Sequence, residues 1–288
     1  MRLLIALATL YLAWGSSYLA IRIGVHDLPP LLFCALRFLI AAPLLFGLAL
    51  LQGERLPGGR RDWLILAVTA VLMMLLGSVL VAWAVQWVPS GQAALIIASS
   101  ALWLAWFGSW GKAGDAIRGW TWIGLLAGMT GVAIVVIAAH GSGIAPPLAC
   151  LALVLAAIGW SGGSVVLRRH PVSCGPTMTA AVHMLLGGLL MLVLWLASDS
   201  RVPDWTPQAL AALAWLTLFG TVIAYAAYYW MIPHAPPALT STYAYVTPVI
   251  AMLLGVVILD ETLTSTQLLG SAVVLVSVLI VGQSTRKA

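Results

Sequence analysis

The sequence predicts an all-α integral membrane protein of ten transmembrane helices arranged as two inverted five-helix repeats. Displaced by 146 positions, the chain falls on itself: Trp14 meets Trp160, Arg22 meets Arg168, Arg37 meets His183, Asp115 meets Glu261 and Gly124 meets Gly270. Each half holds five long apolar segments, an odd number, so the second copy enters the bilayer upside down relative to the first, the usual build of a secondary transporter. Only 7% of the residues are charged and 62% are hydrophobic, where a soluble domain carries about 25% charged residues. A hydrocarbon core about 30 Å thick takes about 20 apolar residues per helix. Because backbone inside lipid must satisfy its own hydrogen bonds, such runs become helices.

The spans fall near 3–25, 30–51, 63–87, 91–111, 117–139, 146–168, 174–197, 207–231, 236–259 and 265–284, which puts one repeat at 3–139 and the other at 146–284. Met1 and Arg2 open the first span as a secretory signal would, but its apolar run reaches Val25 and further spans follow, so it reads as a retained helix. The connections are short and built from turn residues, Pro29-Pro30, Pro89-Ser90-Gly91 and Gly141-Ser142-Gly143 among them, leaving no room for a separate soluble domain.

Charge sets the orientation. Arg2, Arg55, Arg60, Arg61, Lys112, Arg118, Arg168, Arg169, Arg286 and Lys287 fall on one side, and only Arg22 and Arg201 near the other surface. The positive-inside rule then places both termini in the cytoplasm. That asymmetry accounts for the net charge of +5 without a nucleic-acid partner. Cys34, Cys150 and Cys174 are isolated and make neither a metal nor a redox spacing. No cofactor or metal is expected.

Polar chemistry inside the apolar spans marks the candidate site. Tyr11, Trp14, Tyr18 and Arg22 form one helical stripe, and Trp160, Ser164 and Arg168 repeat its spacing in the second half. Trp14 and Trp160 lie near the middles of their spans, away from the interfacial aromatic belts, and as a pair they point to a shared central cavity. Ser99, Trp103, Trp106 and Trp110 line a face of the fourth span; Thr240, Ser241, Thr242, Tyr243 and Tyr245 cluster before Pro248 in the ninth. Arg37 sits seven residues past Pro30, roughly 10 Å of helix below the surface. Two readings compete for it: snorkelling outward, or an inward contact with an anion. Its mate His183 lies too deep to snorkel, and either bonds a neighbouring helix or titrates. All eight acidic residues fall at span ends or in loops. A cavity with cations and aromatics but no carboxylate suits zwitterions or weak acids better than permanent cations, although tryptophans alone can hold an ammonium group.

Trp14-Gly15-Ser16-Ser17-Tyr18-Leu19-Ala20-Ile21-Arg22, Ala35-Leu36-Arg37-Phe38, the run Pro237 to Pro248, and Asp260-Glu261-Thr262-Leu263 followed by Gly270 resemble the EamA-type members of the drug/metabolite transporter superfamily. The resemblance covers nearly the whole chain. It implies ten helices in two inverted repeats, a bacterial inner-membrane location, and export of amino acids, related metabolites or drugs. It also implies a cavity shared by both halves, lined here by Trp14, Ser17, Trp103, Trp160, Ser164, Ser241 and Tyr245. The chain departs from the family pattern at Ala101, where the family often has proline, and at Gly114-Asp115, where it often has Gly-Glu.

Two other readings compete with transport by a carrier. Gly159-Trp160-Ser161-Gly162 fits the G-x-S-G pattern of intramembrane serine proteases, with His183 or His234 as base. Small residues are common at membrane helix contacts, and the repeat explains the motif better. A passive channel usually needs rings of carbonyls or charges about an axis, which two copies in one chain do not supply. The expectation is therefore a carrier, not an enzyme, monomeric or a weak homodimer, exporting hydrophobic or aromatic amino acids or related amphipathic metabolites. The alternative is an exporter of cationic drugs. The site is expected at Trp14, Ser17, Arg37, Ser99, Trp103, Trp160, Ser164, His183, Ser241 and Tyr245.

Overall fold

A computed structural model describes residues 2–111, 119–141, 146–198, 202–234 and 243–284. Among them every regular element is a helix. We label these α1 (Arg2–Asp27), α2 (Pro30–Leu51), α3 (Arg60–Ala84), α4 (Ser90–Gly108), α5 (Gly119–Gly141), α6 (Pro147–Arg169), α7 (Pro176–Leu196), α8 (207–234), α9 (Tyr243–Leu259) and α10 (Ser265–Ser284). Seven of them, α1 to α4 and α6 to α8, are long and apolar enough to cross a membrane, and α5, α9 and α10 contain shorter apolar stretches. The expected ninth span begins at 236, but 235–242 lie outside the described residues.

Proline starts several of these helices. Pro30, Pro147, Pro176 and Pro207 occupy the first turns of α2, α6, α7 and α8, where a missing N–H costs nothing and the fixed φ suits a helix. Three helices are not uniform. In α3 the stretch Val71–Val79 is π-helical, and in α8 the stretch Leu218–Ile223 is too. These two interruptions fall at matching places in the two halves. The α4 helix is broken at Ser99 into Ser90–Ala98 and Ser100–Gly108, the Ser99 hydroxyl donating to the Ile96 carbonyl at 2.6 Å.

Packing also pairs the halves. Helix α2 lies along α7, and α5 along α10; α1 packs on α8 and α9, while α6 packs on α3 and α4. Exchanging each helix for its counterpart five places on turns every one of these contacts into another in the set. Small residues permit the closest crossings. A side chain on Gly159 of α6 would lie 2.8 Å from the Leu72 carbonyl in the π stretch of α3, and one on Gly220, in the π stretch of α8, would lie 2.7 Å from the Ser17 hydroxyl of α1. The apolar core runs through these crossings, with Phe33, Phe38, Leu45, Ile96, Leu102 and Leu153 sealed inside.

The loop carboxylates hold the helix ends. Glu54 accepts from the backbone N–H groups of Thr177 and Met178 at 3.3 and 2.6 Å at the start of α7. Asp62 takes the Ser173 N–H at 3.0 Å and its hydroxyl at 2.5 Å. Across the molecule, Asp27 accepts from the Thr206 hydroxyl at 2.5 Å, and that same oxygen caps α8 by accepting from Ala209 at 3.1 Å.

Candidate functional site

The two halves enclose a cavity of about 160 Å³. Helix α1 contributes Trp14, Ser17, Tyr18 and Ile21; α2 contributes Arg37; α3 contributes Gly77, Ser78 and Val81. On the opposite walls stand Ile97 and Ser100 of α4, Ala156 and Trp160 of α6, Tyr225 of α8, and Tyr243 and Thr247 of α9. Trp14 is the hub of the aromatic wall. Its ring centroid lies 5.9 Å from Tyr225, 5.5 Å from Tyr228 and 4.7 Å from Tyr243, edge-on to the first and last, geometries the ring quadrupoles favour.

A larger hollow of about 460 Å³ is bounded by Pro29, Leu31, Trp83, Leu148, Leu151 and Leu155 and is almost entirely apolar. Leu148, Leu151 and Leu155 are exposed, so this is a groove on the outer wall of the bundle, without the convergent polar groups that make a specific site.

Arg37 enters the cavity from α2. It is 8% exposed, which overturns the snorkelling reading. Its Nε–H donates to Thr221 Oγ1 at 2.6 Å, the Thr221 hydroxyl donates on to the Leu216 carbonyl at 3.0 Å, and the guanidinium carbon lies 4.9 Å from the Phe38 ring centroid. The Leu216 carbonyl is five residues back along the π stretch, so the interrupted helix supplies the acceptor that orients Thr221 toward Arg37.

His183 makes the same kind of contact in the other half but is sealed from the cavity. Its Nε2 lies 2.8 Å from Thr69 Oγ1, and the Thr69 hydroxyl donates to the Ile65 carbonyl at 2.7 Å. With that proton committed, Nε2 is the donor of the pair, which assigns the tautomer.

Of the expected site residues, the structure brings Trp14, Ser17, Arg37 and Trp160 together around the cavity. Ser99 turns away to the Ile96 carbonyl, and its neighbour Ser100 lines the wall in its place. Trp103 is buried beside Trp106 and Phe107, with centroids 5.5 and 6.0 Å away. The Ser164 hydroxyl donates to the Trp160 carbonyl at 2.7 Å. Neither Trp103, Ser164 nor His183 borders the cavity. Ser241 and the Tyr245 side chain lie outside the described residues. Tyr225 was not expected, and three tyrosines at 225, 228 and 229 in an apolar helix were the available signal; Tyr243 belonged to the cluster before Pro248 without being placed at the site. Ser161, the serine of the protease-like motif, donates to the Ser100 carbonyl at 2.8 Å and so joins α6 to α4 beside the cavity that Ser100 and Trp160 line.

Beyond the cavity, α4 is gripped at both ends by charges from the second half. At its start Glu261 Oε1 accepts from the Ser90 N–H at 2.8 Å, Oε2 accepts from the Ser90 hydroxyl at 3.0 Å and the Gly91 N–H at 3.4 Å, and Arg22 sits 3.1 Å from Oε1. Asp260, with φ of 52°, turns the chain so that Glu261 points back at α4. At the other end Arg169 Nη2 donates to the carbonyls of Phe107 and Gly108 at 3.1 Å and of Trp110 at 2.5 Å. An anion on the amide end and a cation on the carbonyl end both match the helix dipole.

A family model of EamA-like transporters matches the chain twice, over residues 1–137 and 147–283. The chain belongs to the EamA-like transporter family. It is 35% identical over 278 residues to the inner membrane transporter YedA of Escherichia coli (strain K12), covering 96% of this chain and 89% of that one. It is 25% identical over 287 residues to the transporter YvbV of Bacillus subtilis (strain 168), covering 99% and 93%. One crystal structure, 22% identical, covers 98% of both chains with a TM-score of 0.67, and so shares the fold. The protein is therefore a membrane transporter, with the cavity between its halves as the candidate substrate site.

Proposed function

We propose that this EamA-family member is an alternating-access carrier of the bacterial inner membrane that exports hydrophobic or aromatic amino acids or related amphipathic metabolites. In this reading ten helices form two inverted repeats at 3–139 and 146–284, both termini are cytoplasmic, and the unit is a monomer or a weak homodimer. The exchange of helix contacts between halves supports the repeat. Ten cationic residues on one side against two on the other support the orientation. The relative named as an inner membrane transporter supports the location.

One observation carries the substrate reading: a cavity of about 160 Å³ whose walls combine the indoles of Trp14 and Trp160 with Arg37. Drug-sized ligands occupy pockets of about 300–1,000 Å³; this one has the scale of an amino acid. Trp14 and Trp160 would stack the apolar body, and Ser17, Ser100 and Tyr225 would orient its polar end; Ser241 and Tyr245 stay in the proposed lining on the family resemblance. The cationic-drug alternative has the aromatic wall in its favour, since such rings attract ammonium groups, but an arginine in the same wall opposes it.

Counterflow of radiolabelled phenylalanine into proteoliposomes tests the reading. Trp160→Ala should insert normally and lose transport, and wild-type flux should saturate and show trans-stimulation. Full activity of that variant would remove Trp160 from the site, and flux that never saturates would replace the carrier with a pore.

A further inference from the structure

We infer that Arg37 selects substrates by the sign of their charge: the substrate brings a carboxylate, or an equivalent organic monoanion, which becomes the counter-ion that the protein itself withholds. The inference rests on the carrier reading above and goes beyond it by naming the chemical class admitted.

A guanidinium lodged in an apolar bundle is costly unless an anion or a full set of hydrogen bonds compensates it. Arg37 is buried, and its Nε donates to the neutral Thr221 hydroxyl while its carbon lies near the Phe38 ring. Among the described residues no carboxylate pairs with it. None stands in reserve within the apolar spans either, since the acids all fall at span ends or in loops. Four of them are already engaged: Asp27 by Thr206, Glu54 by the start of α7, Asp62 by Ser173, and Glu261 by Arg22 and α4. Nε is fixed by Thr221, so the guanidinium is oriented before any ligand arrives, and the Nη edge is what it has left to offer an anion. A planar guanidinium is matched to a carboxylate through two parallel hydrogen bonds.

The rest of the wall decides what the carboxylate is attached to. Trp14, Trp160, Tyr225 and Tyr243 present ring faces and edges across the same space, so the anion admitted carries an apolar or aromatic body. A cationic amphiphile meets the same rings but also a like charge that no carboxylate among the described residues neutralises, and like charges at short range in a poorly screened site repel strongly. An amine on the carbon next to the carboxylate is tolerated because the substrate's charges sum to zero. The filter thus passes monocarboxylates and zwitterions and rejects the amides and amines made by removing the carboxylate.

Four probes sharing one phenyl ring test this: 3-phenylpropionate, phenylalanine, phenylalaninamide and phenethylamine, each assayed for uptake by proteoliposomes and for quenching of tryptophan fluorescence in the purified full-length protein. The two carboxylates should be taken up and should quench, and the amide and amine should do neither. Arg37→Gln should lose at least about tenfold in uptake of both carboxylates. Arg37→Lys, which keeps the charge but not the fork, should retain part of it. Monodisperse elution of each variant guards against misfolding. Uptake of the amide and amine in preference to the carboxylates would overturn the charge filter while leaving the carrier standing. Undiminished carboxylate uptake by Arg37→Gln would remove Arg37 as the partner. Failure of well-folded wild-type protein to bind or move any of the four would overturn the aromatic-substrate reading and the filter with it.

Discussion

Arg37 and His183 occupy equivalent places in the two halves, on paired helices, and each bonds a threonine that passes its own proton to a backbone carbonyl. The chemistry around them then diverges. The first faces a cavity and keeps a permanent charge; the second is 2% exposed and holds a neutral-capable ring against Thr69. The threonines are not repeat mates, since the shift of 146 carries Thr69 to Trp215 and Thr221 to Leu75, so each half builds its tie at a different turn of the partner helix, and of the two bonded residues only Arg37 borders the cavity. The difference lies less in the helices than in which copy borders open space.

The severest way to break the comparison is to place a permanent charge in both halves. His183→Arg should cost about 3–5 kcal/mol, the range for an uncompensated buried charge, so the variant should fail to accumulate as monodisperse protein in detergent; normal yield and melting would show that the second site is more open than its burial indicates. Cutting the tie more gently, Thr69→Val leaves the His183 donor unsatisfied and should destabilise by about 1–3 kcal/mol, read as a lower melting temperature with substrate affinity unchanged. On the cavity side, Thr221→Val frees the Arg37 guanidinium from its anchor. Apparent affinity for phenylalanine should then weaken by about tenfold, near 1.4 kcal/mol, alongside a drop in melting temperature like that of Thr69→Val, because the buried Nε donor also loses its acceptor. The smallest effect is expected at the α4 clamp. Glu261→Gln keeps a hydrogen-bond acceptor but loses the charge that meets Arg22 and the helix start. Transport should fall only a few-fold, while labelling of a cysteine placed at Ser90, in a chain stripped of its native cysteines, should speed up; identical labelling rates would show that the clamp does not restrain that end.

Much of this was readable before the fold was known, for identifiable reasons. The repeat and the membrane class follow from spacing and composition, which do not depend on packing. Trp14, Trp160 and Arg37 stood out because an indole in mid-span and a lone guanidinium are conspicuous against aliphatic neighbours. Ser99 and Trp103 were assigned by helical spacing, and they do share a face of α4, but it is the neighbouring one: Ile97 and Ser100, three residues apart across Ser99, line the cavity, and Ser99 and Trp103 do not. Tyr225 lies just beyond the π stretch of α8, where a period of 3.6 no longer predicts which face a residue takes. His183 was paired with Arg37 by position, but position in a repeat does not reveal which copy borders a void.

The π stretches give chain length a role alongside residue identity. Each holds one more residue per hydrogen-bonded turn than an α-helix would, so α3 and α8 carry slack at the level of the cavity. Losing a single residue from 218–223 would let α8 close into a regular helix with the residues after it near their present bearing, whereas losing one from the α-helical stretch before it would swing Tyr225 by roughly 100° and carry it off the wall without altering a single cavity side chain. For this bundle, the π stretches are where a change of length is absorbed, and elsewhere in α3 and α8 a change of length rewrites the cavity wall.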